Sequence, residues 1–203
     1  MEFRLAYTGG LLRGGKAGHV WEKHQLRRHF HSQLEKLWKT HPLLMFYGEP
    51  HHWEETDRIT MEHHDRTKIE NISKHFEGYV PLVTEAYGTS CELDILLLRA
   101  TPPGHVLQRG GNSGGDLDNR IAQLIDSLCM PERGQVKLRD GDSPDPKPMF
   151  VLLQDDSLVT SLKVESDRFL GAQNENDPAE CVAIVSVRVK AADPTKLPYG
   201  IAL

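Results

Sequence analysis

Asp116, Asp118 and the adjacent pair Asp155 and Asp156 are the side chains of this sequence best suited to chemistry. Carboxylates drawn together from a helix start and a strand start hold Mg²⁺, a hard cation that takes few protein oxygens and leaves the rest of its shell to water and phosphate. Mn²⁺ is a possible substitute. Phosphodiester hydrolysis is the chemistry of such a centre. Spacing sets a condition, because residues two apart point the same way in extended chain but onto different faces of a helix. Asp116 and Asp118 therefore converge only outside regular helix, which Gly114 and Gly115 permit by letting the chain turn sharply before Asn119 enters the first helical turn. The positive end of a helix dipole favours both carboxylates and a nearby phosphate, by about 0.3–1 kcal/mol per exposed charge. Each motif also has a plain structural role: Asp and Asn before a helix are ordinary caps, and Asp-Asp before a strand is an ordinary turn. Their order and context are what point to a metal.

The elements that must position these acids are legible in the apolar spacing. Leu117, Ile121, Leu124, Ile125 and Leu128 recur at helical intervals, which predicts an amphipathic helix beginning at the acidic motif. After Asp155 and Asp156 the alternation predicts a half-buried strand, with Leu158, Leu162 and Val164 on one side and Val159, Ser161, Lys163 and Glu165 on the other. Val182 to Lys190 alternates again and is expected to pair antiparallel with that strand across the polar loop from Gly171 to Glu180. Cys91 to Arg99 is a further strand, with Leu93, Ile95 and Leu97 on one side; its Asp94 is placed at an exposed strand end in preference to a fourth metal ligand. Met1 to Tyr7 predicts the first strand. His19 to His41 predicts a long helix with Leu26, Phe30, Leu34, Leu37 and Trp38 as its apolar stripe. Lys23, Arg27, Arg28, His31 and Lys39 decorate the remainder, as a solvated face or as a DNA-steering one. The glycine-rich segment from Gly9 to Gly18 is a candidate loop on the DNA side.

The run Gly115-Asp116-Leu117-Asp118-Asn119, the helix ending Ile125-Asp126-Ser127-Leu128, the sequence Asp155-Asp156-Ser157-Leu158-Val159 and a terminal Val-rich strand together resemble the RusA family of Holliday junction resolvases. The likeness covers roughly Leu93 to Lys190, interrupted by loops; the N-terminal region agrees only in outline, strand then long helix. It implies that Asp116, Asp118 and Asp156 bind Mg²⁺ and are needed to cut branched DNA, with Asp155 adjacent, and that the protein is a homodimer making paired cuts. One departure concerns the lysine that the family carries one helical turn beyond the second aspartate, because the equivalent position is Ala122. Either another cation substitutes, with Lys163, Arg120 and Arg109 as candidates, or cleavage is weakened or lost. The basic cluster that precedes the motif in the family is reduced to His105 and Arg109 in the loop from Ala100 to Gly115.

The 203 residues suffice for one full core, so a single domain of 1–203 is expected, with insertions around 43–83 and 131–148. No apolar stretch approaches a membrane span and the N-terminus lacks the layout of a secretory signal, so a cytoplasmic location and no membrane partner are expected. Cys91, Cys129 and Cys181 form no CxxC and are expected as reduced thiols. A net charge of −5 disfavours coating nucleic acid through bulk charge but leaves room for a nuclease, whose acidic centre a bound cation offsets. His51, His52, His63 and His64 lie in the first insertion beside Trp53, Glu54, Glu62 and Asp65; with no HxxxH or HExxH spacing they read as a polar element for a protein partner or nucleic acid rather than a zinc site. The Pro- and Asp-rich segment 131–148 is expected to be an irregular, flexible contact loop.

The expectation is therefore an α/β fold, a mixed or antiparallel sheet of about four strands with two main helices. Its function would be a Mg²⁺-dependent, structure-specific DNA endonuclease, with Asp116, Asp118, Asp156 and Lys163 catalytic, Asp155 beside them, and Arg27, Arg28, Arg109 and Arg120 on the DNA. The alternative is a weakened or inactive RusA-like module that binds DNA or a protein.

Overall fold

The computed structural model describes residues 1–10, 19–45, 69–100, 117–132, 136, 138–172 and 180–196. Four strands, β1 (Glu2–Gly9), β3 (Thr89–Arg99), β5 (Val159–Arg168) and β6 (Cys181–Ala191), form a mixed sheet in the order β1-β6-β3-β5. β6 is antiparallel to both β1 and β3, and β3 is parallel to β5. A second, two-stranded parallel sheet joins β2 (Tyr79–Val83) to β4 (Met149–Leu153). The helices are α1 (His19–Thr40), α2 (Pro42–Met45), α3 (Ile69–His75) and α4 (Leu117–Leu128).

Alternation in β3 and β6 is what divides the main sheet into a buried and a wet face. Leu93, Ile95 and Leu97 of β3 and Ala183, Val185, Val187 and Val189 of β6 enter one core, together with Ile121, Leu124 and Leu128 of α4 and Leu26, Phe30, Leu34 and Trp38 of α1. Each large side chain so buried contributes on the order of 1.5–3 kcal/mol. The opposite face carries Glu2, Glu92, Asp94, Lys163 and Arg188, with Arg188 Nε 2.5 Å from Glu2 and its Nη1 3.2 Å from Glu92. β4 behaves differently: all five of its residues are buried, as a continuous apolar run must be when both faces are covered.

The strand after the acidic pair does not pair with β6 as the loop between them suggested. β6 inserts between β1 and β3, and β5 lies on the far side of β3, reached by a crossover through α4. Two strands joined through a helix run parallel because the helix carries the chain back to the starting end of the sheet. A register shift between Cys91 and Glu92 separates Val159 from the Ser161, Lys163 and Glu165 face and absorbs Thr160, whose hydroxyl donates to Cys91 O at 3.1 Å. β5 is mostly exposed rather than half-buried, Leu162 included.

α1 packs its apolar stripe as expected, but part of its basic decoration goes inward. Arg27 is buried, with Nε donating to Cys129 O at 2.8 Å and Nη2 to Asp126 O at 3.0 Å, so it satisfies carbonyls that the end of α4 leaves open. His31 is also buried and its Nδ1 accepts the Phe150 N–H at 2.9 Å, which fixes a neutral ring with the proton on Nε2. Nor is the segment 138–147 loose on its α1 side. Trp21 Nε1 donates to Asp142 at 2.8 Å, His24 Nε2 meets Asp145 at 2.8 Å, and the Arg139 guanidinium lies 3.7 Å from the Trp21 ring centre. Among the described residues no helix is long and apolar enough to cross a membrane.

Candidate functional site

Asp118 stands exposed in the first turn of α4, whose inner face is fixed by Ile121, Leu124 and Leu128. Ala122, four residues on and therefore on the same side of the helix, is exposed too. Asp116 and Arg109 lie outside the described residues, as do His51, His52, His63 and His64.

The second acidic segment is built by a turn rather than by the strand itself. Asp155 is extended at φ −152° and its carboxylate accepts the Ser157 N–H at 2.9 Å, capping a single 3₁₀ turn, Asp156–Leu158, that delivers the chain into β5. Hydrogen bonds from the Ser157 side chain and backbone hold the Asp155 carboxyl below the usual carboxylate range. Both Asp155 and Asp156 are exposed, but Asp155 has a structural task in the turn.

The two acidic segments sit at different ends of α4. Immediately after that helix Cys129 bridges Leu153 in a parallel sense, and the Met130 N–H donates to Leu153 O at 2.9 Å. The Cys129 thiol, pushed up to about 12 chiefly by burial, also feels the negative charges of Asp156, Asp126 and Asp155. Asp155 and Asp156 therefore belong to the C-terminal end of α4. Asp118 is ten residues before Leu128, the last residue of the helix, about 15 Å along the axis at 1.5 Å per residue. Within one subunit the described residues do not bring Asp118 and Asp156 to a common ion, whose oxygen ligands lie about 2.1 Å from it. Among the described residues no group of three or more His, Cys, Asp or Glu side chains is arranged to hold a metal.

The expected cations are likewise dispersed. Arg120 is fully buried and Arg27 nearly so, so neither presents a guanidinium to DNA, contrary to the expectation from sequence; a helix pattern marks a basic residue as outward until its neighbours are known. Arg28 is half-buried and donates to Ser143 Oγ at 2.5 Å, tying down the segment after Asp142. Lys163 stands on the wet face of the main sheet, 2.7 Å from Glu165 and 3.7 Å from Asp94, on the side of the sheet away from α4. It is not placed to stand in for a cation at position 122. Asp94 is exposed on that same face, as expected.

Sequence reasoning overlooked the polar joint at the C-terminal end of α4. His24 is completely buried; its Nε2 donates to Asp145 and its Nδ1 accepts from Arg27 Nη1 at 3.3 Å, while Lys23 Nζ reaches Asp126 at 3.0 Å. Burial lowers the His24 pKa even though Asp145 pulls it the other way. The only trace of this joint in the sequence is the three-residue spacing of His24 and Arg27, since their partners lie about a hundred residues away. No family model, curated protein or solved structure matches this chain.

Proposed function

We propose that this protein is a RusA-like, Mg²⁺-dependent endonuclease for branched DNA, acting as a homodimer in the cytoplasm. The reading is carried by one observation: Asp118 and Asp156, the acids that the resemblance singles out, are both exposed, one opening a helix whose other face is locked in the core and one just ahead of a strand. Neither is absorbed into the core, and a pair of exposed acids on rigid elements is what a hard cation and a phosphate need. Mg²⁺ bound by such acids would lower the pKa of an attacking water and neutralise the leaving oxygen.

The separation along α4 adds a requirement. Asp116 lies outside the described residues and Asp118 and Asp156 stand at different ends of α4, so on this reading the set is completed between subunits, Asp118 of one working with Asp156 of the partner subunit. A homodimer is then part of the active centre and not only a means of making paired cuts.

A second reading is a RusA-like module that binds DNA or a protein partner with cleavage weakened or lost. It is favoured by the exposed Ala122, which offers no cation to the phosphate, and by the burial of Arg27 and Arg120. A four-way junction incubated with the protein and Mg²⁺, beside Asp118→Asn and Asp156→Asn, separates the two. Metal-dependent product abolished by both substitutions supports the nuclease; junction binding without product in the unaltered protein leaves the module.

A further inference from the structure

β1 and β5 are the two edges of the main sheet, and the protein treats them in opposite ways. At β1 the side chain of Gln33 takes the place of a neighbouring strand: it accepts the Ala6 N–H at 2.9 Å and donates to Ala6 O at 2.7 Å, with His29 Nε2 on the same oxygen at 3.0 Å. α1 thereby covers the middle of that edge. At β5, ten residues long, pairing with β3 accounts for one side of the strand and no described residue pairs with the other. An uncovered edge of that length presents a row of backbone donors and acceptors to any strand that fits.

Most side chains of β5 are polar, but two on its core side, Leu162 and Val164, are apolar. Leu162 is level with Leu93 and so faces the core side, yet it is 46% exposed; Val164, level with Ile95, is half-buried. Just past the strand Leu170 is 84% exposed. Among the described residues, Val159 and Val164 pack against the core while Leu162 leaves this margin partly open.

We infer that β5 is a dimer-forming edge that pairs antiparallel with β5 of a second copy of this chain, with Val164 on the two-fold axis. The register follows from parity and charge. Opposed residues in a continuous sheet share a face, so the axis must pass through a residue and not between two. Centring on Val164 sets Lys163 against Glu165 of the partner subunit, twice by symmetry, and Val164 against the partner's Val164, with Leu162 beside Ser166 of the partner subunit. Centring on Lys163 or on Glu165 opposes like charges at the axis, and centring on Leu162 leaves no charge pair. Lysine on an edge strand discourages indiscriminate pairing. The Glu165-centred register also brings Lys163 to an acid, Asp167 of the partner subunit, but sets Glu165 against Glu165 on the axis, which the Val164 register avoids. Two-fold pairing uses up both β5 edges, and Gln33 and His29 occupy the middle of the remaining β1 edge at Ala6, so assembly closes at two copies instead of growing into fibres. Antiparallel pairing also sets the Asp155 and Asp156 segment of one copy beside the turn that follows β5 in the other. The surface itself is argued from β5 alone and does not depend on cleavage.

Sedimentation velocity over about 1–100 µM protein without DNA tests the association, with a dimer expected to build up across that range. Lys163→Glu and Glu165→Lys should each raise the dimer Kd about tenfold, and the double exchange should return it to within about threefold of the starting value. Circular dichroism checks that each variant is folded. Because either reversal also disturbs the pairing within one copy, a second readout uses Val164→Cys, which should form an intermolecular disulfide under mild oxidation, while Ser161→Cys, far from its own symmetry mate in this register, should not. A monomer at every concentration, a dimer indifferent to both reversals, a double exchange that fails to restore it, or Ser161→Cys linking as readily as Val164→Cys would each overturn the inference. Loss of nuclease activity alone would leave it untouched.

Discussion

Arg27 Nε donates to the carbonyl oxygen of Cys129 at 2.8 Å, joining the middle of α1 to the residue that follows α4. The same guanidinium also serves Asp126 O, 99 residues away in sequence, and His24 Nδ1, so one buried cation of α1 gathers the end of α4 and, through His24, the segment bearing Asp145.

Removing that cation should cost stability far more than its surface charge suggests. Arg27→Ala leaves two carbonyls and a buried imidazole without their donor, and is expected to lower the unfolding free energy by about 2–4 kcal/mol in urea titrations. Arg27→Lys should recover only part of the loss, because an ammonium cannot reproduce the guanidinium fork. A change below about 0.5 kcal/mol for Arg27→Ala would show that the joint is not structural.

Acid should weaken the fold through His24 and His31. Burial lowers both pKa values below the ordinary 6.5, so as pH falls the unfolded chain takes up these protons first. The stability they contribute is complete above about pH 6.5 and is lost progressively below it, toward their folded-state values. Urea midpoints should therefore drop between pH 7 and pH 5, and His31→Gln, which removes one of the two protons, should flatten that dependence. An unchanged slope in that variant would remove His31 from the account.

Ala122→Lys places an ammonium on the exposed side of α4 four residues beyond Asp118. The Asp-to-Lys spacing favours the helix by about 0.3–0.5 kcal/mol, so the melting temperature should barely move. Junction cleavage, measured as product formed per minute at fixed Mg²⁺, should rise by about tenfold if this face meets the scissile phosphate. No gain in a folded variant would separate Ala122 from the site.

Subunit mixing asks whether Asp118 and Asp156 act in one chain or across two. Asp118→Asn and Asp156→Asn should each be inactive, but after random exchange of subunits about half of the dimers are mixed and each mixed dimer keeps one intact composite centre. Nicking activity of about a quarter of the unaltered protein is expected in the mixture. Continued inactivity, with exchange verified by mass, would place both acids in the same subunit's centre and contradict their separation along α4.

Local periodicity carried much of this architecture. The alternation of β3 and β6, the apolar stripe of α1 and the 3.6-residue recurrence in α4 were legible because each records which side of an element faces away from water, a property set by neighbours three or four residues away at most. A sheet of about four strands follows from the same alternation, which leaves mixed and antiparallel arrangements both open; the parallel pairing of β3 with β5 makes it mixed. β4 is not legible as a strand of its own, since five consecutive apolar residues carry no period, and β5 lies beside β3 rather than the expected β6 because alternation says nothing about which strand supplies the hydrogen bonds.

What the sequence by itself determined was therefore the set of elements and their inward faces, together with the acidic motif at the start of α4. Only the tertiary structure decided where those elements meet: β6 between β1 and β3, Arg27 and His31 turned inward against partners a hundred or more residues away, and Asp155 with Asp156 carried to the end of α4 opposite Asp118. Motif order along a chain is one-dimensional, whereas a shared ion needs convergence within a few ångströms. The twelve-residue helix between those acids is a rigid rod that separates them in space however suggestive their order.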